Sequence, residues 1–291
     1  MPPSPVTKAR LLELQRLALR ARRLIVETVH GAGAGHLGGP LSAADLLTAL
    51  YFEVMEVDPD QPQRPDRDRF VLSKGHASVG LYAVLALRGF LPVEELATFD
   101  ALDSRLQGHP DMTVLDCLDA STGSLGQGLS VGLGMALAAR LRGWGCHTWV
   151  LLGDGDTQEG QTWEAAFVAE RYDLANLTTL VDCNGLQQYG WAAPGGYGKP
   201  ERRPPQDDLA RKWEAFGWDT VEIDGHDMAQ IVAACRRCAA ATRPTAILAR
   251  TVKGKGISFM EGDYTWHARV PTEAELARAR DELAAAEVRL G

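Results

Sequence analysis

Two short apolar runs frame this chain. Residues 148–152 (Thr-Trp-Val-Leu-Leu) and 177–181 are continuous, aliphatic or β-branched, and bounded by turn formers. Such runs predict buried parallel strands. Between them Trp163, Ala166, Phe167 and Glu170 fall at i, i+3, i+4 and i+7, so residues 159–172 are expected to form a helix with a mostly apolar face. This is one strand–helix–strand unit, and its crossover should be right-handed. The alternation continues along the chain. Helices are expected over 7–30 (stopping at Gly31), from a Ser42 cap through Leu50, over 77–87, from the 121–128 segment through Leu141, and over 209–216, 228–241 and 273–290. Further strands are expected at 69–72, 219–223 and 245–251. The fold class is α/β, a parallel sheet with helices on both faces.

In such a sheet the carboxyl ends of the strands point into the crevice that binds ligands. Gly153-Asp154-Gly155 ends one strand and Asn184 ends the next, thirty positions after Asp154. The two glycines are expected to fold the backbone tightly near a ligand. A carboxylate, a carboxamide oxygen and nearby carbonyls make a hard oxygen set that suits Mg²⁺ carrying a diphosphate. Three histidines share addresses of the same kind. His36 lies in the glycine-rich stretch 31–40, His76 follows a strand end, and His109 stands before Pro110. Ser121-Thr122-Gly123-Ser124-Leu125-Gly126-Gln127-Gly128 precedes a helix, where free amides and the helix dipole favour an anion, here a diphosphate. Gly128, Gly132 and Gly134 lie within that helix, which is expected to be central or at a subunit seam.

Composition narrows the classes. The chain has 291 residues, is 45% hydrophobic and carries a net charge of −8, which argues against a nucleic-acid or anionic-membrane surface. No apolar run is long enough to span a membrane, and the start does not read as a signal-peptide core. Five cysteines at irregular positions suit a reduced cytoplasm, and the Cys235–Cys238 pair is expected to be structural.

With these motifs in order, the chain resembles the amino-terminal, diphosphate-binding half of a transketolase. Gly35-His36, Lys74-Gly75-His76, Gly108-His109-Pro110, Gly123-Ser124-Leu125-Gly126-Gln127-Gly128, Gly153-Asp154-Gly155, Glu159-Gly160, Ile223-Asp224-Gly225-His226-Asp227 and Trp266-His267 carry the resemblance. It implies a thiamine diphosphate-binding domain over residues 1–271 and a helical tail over 272–291. It implies that Asp154, Asn184 and the Leu186 carbonyl hold Mg²⁺, with Ca²⁺ or Mn²⁺ as substitutes. His76, His267, Gly123, Ser124, Leu125, Gly155 and Glu159 would contact the cofactor, as would the metal ligands Asp154 and Asn184. His36 and His267 would serve proton transfer, and His109 would hold donor hydroxyls. Glu159 and Glu164 resemble carboxylates that lie between paired sites of a dimer. Departures from the family pattern are Cys183, Ser124, Ala268 and a long loop at 187–208. The family's activating glutamate, ring-stacking aromatic and phosphate-binding arginines belong to a second, pyrimidine-binding domain that this chain does not contain. The resemblance therefore implies one subunit of a split transketolase, completed by a C-terminal subunit in a heterotetramer with two copies of each. An alpha subunit of a 2-oxo-acid dehydrogenase and a non-catalytic diphosphate-binding scaffold are the alternatives.

Overall fold

The computed structural model describes residues 6–188 and 208–291. Five parallel strands form one sheet in the order β1-β2-β3-β5-β4. They are β1 Arg69–Leu72, β2 Thr148–Gly153, β3 Leu177–Cys183, β4 Asp219–Asp224 and β5 Thr245–Arg250. The helices are α1 Lys8–Ala32, α2 Gly38–Ala49, α3 Ser78–Arg88, α4 Gln127–Arg142, α5 Gly160–Arg171, α6 Leu209–Ala215, α7 Met228–Cys238 and α8 Glu273–Arg289.

Strand residues alternate between two cores, because successive side chains leave a strand on opposite sides. Phe70, Leu72, Trp149 and Leu151 pack under α1, α2, α3, α7 and α8. Val71, Val150 and Leu152 pack under α4, α5 and α6. The expected close approach of α4 is explicit. A Cβ on Gly128 would lie 2.4 Å from Ser73, and one on Gly132 would lie 2.4 Å from Val150. A Cβ on Gly134 would meet nothing within 4 Å.

Several boundaries differ from expectation. Helix α1 passes through Gly31 and ends at Gly33, which adopts the left-handed conformation (φ 67°) and returns its N–H to the Val29 and His30 carbonyls. The terminator is the glycine that makes this turn, two residues later than the one expected. Helix α2 begins at Gly38, so most of the glycine-rich stretch is helical or turn. Ser42 is buried inside α2 and caps nothing; its hydroxyl reaches the Gly39 carbonyl at 2.9 Å. Neither Gly153 nor Gly155 has a positive φ, and a Cβ on either would meet only ordinary contacts, so the tight glycine turn expected there is not required by the backbone. A Cβ on Gly153 would stand 3.4 Å from the Asp156 carboxylate.

Among the described residues no helix is long and apolar enough to cross a membrane. All five cysteines are free, and Cys235 and Cys238 are buried along α7, in keeping with a structural role. Of the long loop expected at 187–208, residues 189–207 lie outside the described residues.

Candidate active site

The carboxyl ends of β1, β2 and β3 open into a pocket of about 500 Å³. Each strand delivers its own chemistry there: Lys74 and His76 after β1, Asp154 and Gly155 after β2, Asn184 and Leu186 after β3. His36 enters from the turn before α2, His109 from the loop after α3, and His267 from the turn before α8. Gly123, Leu125 and Glu159 complete the wall among the residues that sequence singled out. Ser124 and Glu164 are exposed and lie outside this lining. A larger hollow of 720 Å³ opens over the ends of β3, β4 and β5, but it holds no histidine and shares only Asn184 with the pocket.

Imidazoles form the roof. The His36 ring lies 5.3 Å from His76, 6.0 Å from His109 and 5.1 Å from His267, and His76 lies 5.1 Å from His267. These residues are scattered from 36 to 267 in the chain, so only the fold assembles them. Burial lowers the pKa of His36 to about 4, helped by His109 and Lys253. Burial, then Lys253 and His36, lowers that of His267 to about 3. His76 is lowered as well, by burial first and then by Lys74. All three are therefore neutral near pH 7 and can accept a proton.

The floor is anionic and braced. Asp154 is buried, and its Oδ2 accepts the Gly185 N–H at 2.9 Å. That bond ties the end of β2 to the turn after β3. The Asn184 amide oxygen accepts the Leu186 N–H at 3.1 Å. Sequence reasoning did not assign Asp156, a fully buried carboxylate that accepts from Ser73 Oγ (2.5 Å), the Gly126 N–H (2.9 Å) and the Gly153 N–H (2.8 Å). At the start of α4, therefore, the Gly126 N–H is taken by the chain's own Asp156, while Gly123 and Leu125 of the same segment line the pocket. Burial raises the Asp156 pKa, and those hydrogen bonds partly offset it.

Two buried lysines were also missed. Lys74 pairs with Asp182, which is fully buried at the end of β3. Burial alone would raise the Asp182 pKa; the Lys74 charge and hydrogen bonds outweigh it and the net shift is downward. Lys253 donates to the Gln187 carbonyl at 2.7 Å, to the Leu186 carbonyl at 3.4 Å and to His267 Nδ1 at 2.9 Å. Burial and then the Lys74 charge lower its pKa to about 8. The Lys-Gly-Lys-Gly run was visible in sequence, but nothing there distinguished Lys253 from Lys255. Position separates them, since Lys253 is buried against Gly38 and Lys255 is half-exposed. The His226 motif works at a distance. Its Nδ1 faces Asp45 at 2.7 Å and its Nε2 accepts the Val252 N–H at 2.8 Å, bracing the segment that carries Lys253.

The residues fit a diphosphate with a divalent cation. Asp154, Asn184 and Leu186 offer three kinds of oxygen donor, the type that Mg²⁺ takes. Among the described residues Gln187 Nε2 is buried without a hydrogen-bond partner, a donor facing the same space. A Cβ on Gly155 would lie 3.6 Å from that nitrogen and 3.6 Å from Leu125, filling room that glycine leaves open.

The family model for the transketolase thiamine diphosphate binding domain matches residues 14–288. The chain belongs to the transketolase family. One of the subunits of the apulose-4-phosphate transketolase of Phocaeicola vulgatus is 41% identical over 273 residues, covering 94% of this chain and 93% of that protein. The 6-deoxy-6-sulfo-D-fructose transketolase subunit SqwG of a Clostridium species is 41% identical, covering 94% of this chain and 96% of that protein. The crystal structure of transketolase from Campylobacter jejuni superposes with a TM-score of 0.83 at 31% identity, over 95% of this chain but only 45% of that one. The chain thus spans less than half of that transketolase and nearly all of the two relatives that are themselves single subunits.

Proposed function

We propose that this chain is the diphosphate-binding subunit of a split transketolase, which moves a two-carbon ketol unit from a ketose to an aldose together with a second, pyrimidine-binding subunit. The observation that supports this best is the meeting of four histidines with the Asp154, Asn184 and Leu186 oxygens in one pocket, in a chain that matches the separate-subunit relatives over nearly their whole length. Asp154, Asn184 and the Leu186 carbonyl hold Mg²⁺, or Mn²⁺ or Ca²⁺ in its place. His76, His267, Lys253, Gln187 and the backbone of Gly123, Leu125 and Gly155 hold the diphosphate. Ser124 contributes backbone only.

When bound, thiamine diphosphate would supply the nucleophilic carbon needed to cleave the carbon–carbon bond next to a ketose carbonyl. This chain positions and protonates. Neutral His36 and His267 take up and return the protons of sugar hydroxyls, and His109 holds the donor's hydroxyls. The second subunit supplies the activating glutamate and binds the substrate's charged end. It docks over α4 and α5, beside Glu159 and Glu164, in an assembly with two copies of each subunit. Residues 1–271 form the diphosphate-binding domain, to which the 272–291 helix is appended. Free, mostly buried thiols suit the cytoplasm as its setting. The named relatives act on apulose-4-phosphate and 6-deoxy-6-sulfo-D-fructose, and the substrate here is a ketose of that anionic class.

The test is to assemble the chain with its partner, add thiamine diphosphate and Mg²⁺, and assay ketol transfer from phosphorylated and sulfonated ketoses. Turnover should require both polypeptides. Asp154→Ala should lose metal-dependent cofactor uptake by calorimetry, and unchanged uptake would refute the site.

A further inference from the structure

Asp182 is fully buried at the end of β3 and does not line the pocket; Lys74 stands between them. Four donors converge on this carboxylate. Its Oδ2 accepts from Lys74 Nζ, from Ser42 Oγ at 2.5 Å and from Asn184 Nδ2 at 3.3 Å, and its Oδ1 accepts from Thr251 Oγ1. Asn184 Nδ2 also lies 3.3 Å from Ser42 Oγ. The Ser42 hydroxyl has two acceptors, the Gly39 carbonyl at 2.9 Å and the closer, charged Asp182 oxygen at 2.5 Å, and with either one its lone pair is open to the amide. The two N–H groups of Asn184 thus have two acceptors, both on the interior side. Rotating the amide by half a turn would set its oxygen against a carboxylate oxygen with no proton between them. The Leu186 N–H, which the amide oxygen accepts at 3.1 Å, favours the same orientation from the other end; with the interior acceptors gone, that one bond is left to hold it, and the wrong end is an NH₂ group that repels a cation.

We infer that Asp182, with Ser42, is a positioning residue that locks the Asn184 carboxamide with its oxygen toward the divalent cation. The inference rests on the proposal that Asn184 is a metal ligand. Lys74 has the complementary task of balancing the Asp182 charge, so that the carboxylate orients the ligand without becoming one. Outer partners of this kind typically govern metal affinity by about 10- to 100-fold.

The test uses the full chain assembled with its partner, and reads Mn²⁺ affinity by electron paramagnetic resonance at saturating thiamine diphosphate. Lys74→Met with Asp182→Leu replaces the ion pair by apolar groups, a change that buried pairs often tolerate, and should weaken Mn²⁺ binding by about 10- to 100-fold. Asn184→Asp is then added. In the altered background it should recover affinity, because a carboxylate has no wrong end. In the native background it should lose affinity, because it faces Asp182. The discriminating readout is the loss of affinity in the paired variant together with its recovery by Asn184→Asp, which a general loosening of the site would not give; native Mn²⁺ affinity in the paired variant, or no recovery, overturns the inference. Should the paired variant fail to fold, Ser42→Ala keeps the ion pair, removes one of the two acceptors and should weaken Mn²⁺ binding several-fold; native affinity there overturns the inference equally. A native complex that takes up thiamine diphosphate without any divalent ion refutes the metal-site reading itself, which is a separate result.

Discussion

On one side of the sheet α1 lies across α2 and α3 and is itself flanked by α8, which buries Leu276, Ala279 and Leu283. On the other side α4 and α5 form a single layer whose outer surface exposes Val131 (40%), Leu141 (78%) and Phe167 (57%). The outer stripe of α4 reads Gln127, Val131, Gly134, Ala138 and Leu141, with no charge in it and a spacing of alternate fours and threes. A helix facing water usually carries charge there. The difference teaches where this chain is finished and where it is not. The first face is sealed by its own helices, and the second presents small and apolar residues suited to another polypeptide, as the proposed partner requires.

The comparison can be broken most directly on the sealed face. Ile25→Ala removes a fully buried side chain of α1 and should cost about 2–5 kcal/mol in urea unfolding of the chain alone. A loss no larger than that of a surface variant would show this face to be loosely packed.

Acid comes next and acts on groups that neither face covers alone. His36 and His147 have folded pKa values of about 4, and His267 about 3, below the ordinary value near 6.5. The unfolded chain therefore binds more protons below that value, and stability is fully present above it. The melting temperature should fall as the pH drops from about 6.5 toward 3, and keep falling below that as the paired carboxylates Asp45 and Asp182 take up protons. Thermal melts across that range check the sign, and a flat line would mean the imidazoles are solvated.

Two glycines on one helix separate the inner from the outer side of α4. Gly132→Ala drives a methyl into Val150 and should destabilise by about 1–3 kcal/mol. Gly134→Ala points into open space and should stabilise the lone chain by up to about 1 kcal/mol through helix propensity, while weakening assembly with the partner. Equal signs for the two would erase the distinction. The smallest effect on stability is expected for Phe167→Ala, within about 0.5 kcal/mol for the chain alone. The same change should lower affinity for the partner in a binding titration, and unchanged affinity would move the docking surface elsewhere.

Much of the site could be read from the chain because strand ends leave local marks. Asp154 and Asn184 each follow an apolar run, and His36, His76 and His109 stand beside glycine or proline. Asp156, Asp182, Lys74 and Lys253 stand at similar addresses, beside glycine or at the end of an apolar run, but nothing local separates a pocket ligand from a buried partner there. Their importance comes from burial among partners distant in the chain, 108 positions apart in the Lys74–Asp182 pair. Ser42 shows the limit most plainly. Its place near a helix start suggests a cap, yet its hydroxyl turns inward to Asp182, 140 positions away.

By itself the sequence determined the element types, the parallel sheet, the family and the order in which the chemistry appears, because hydrophobic period and short motifs are local properties. The tertiary structure alone decided which carboxylates bind inward and which orient others, which lysine is buried, and which helix face stays open. Those outcomes depend on desolvation and on hydrogen-bond partners brought together across the sheet, and no window of neighbouring residues contains them.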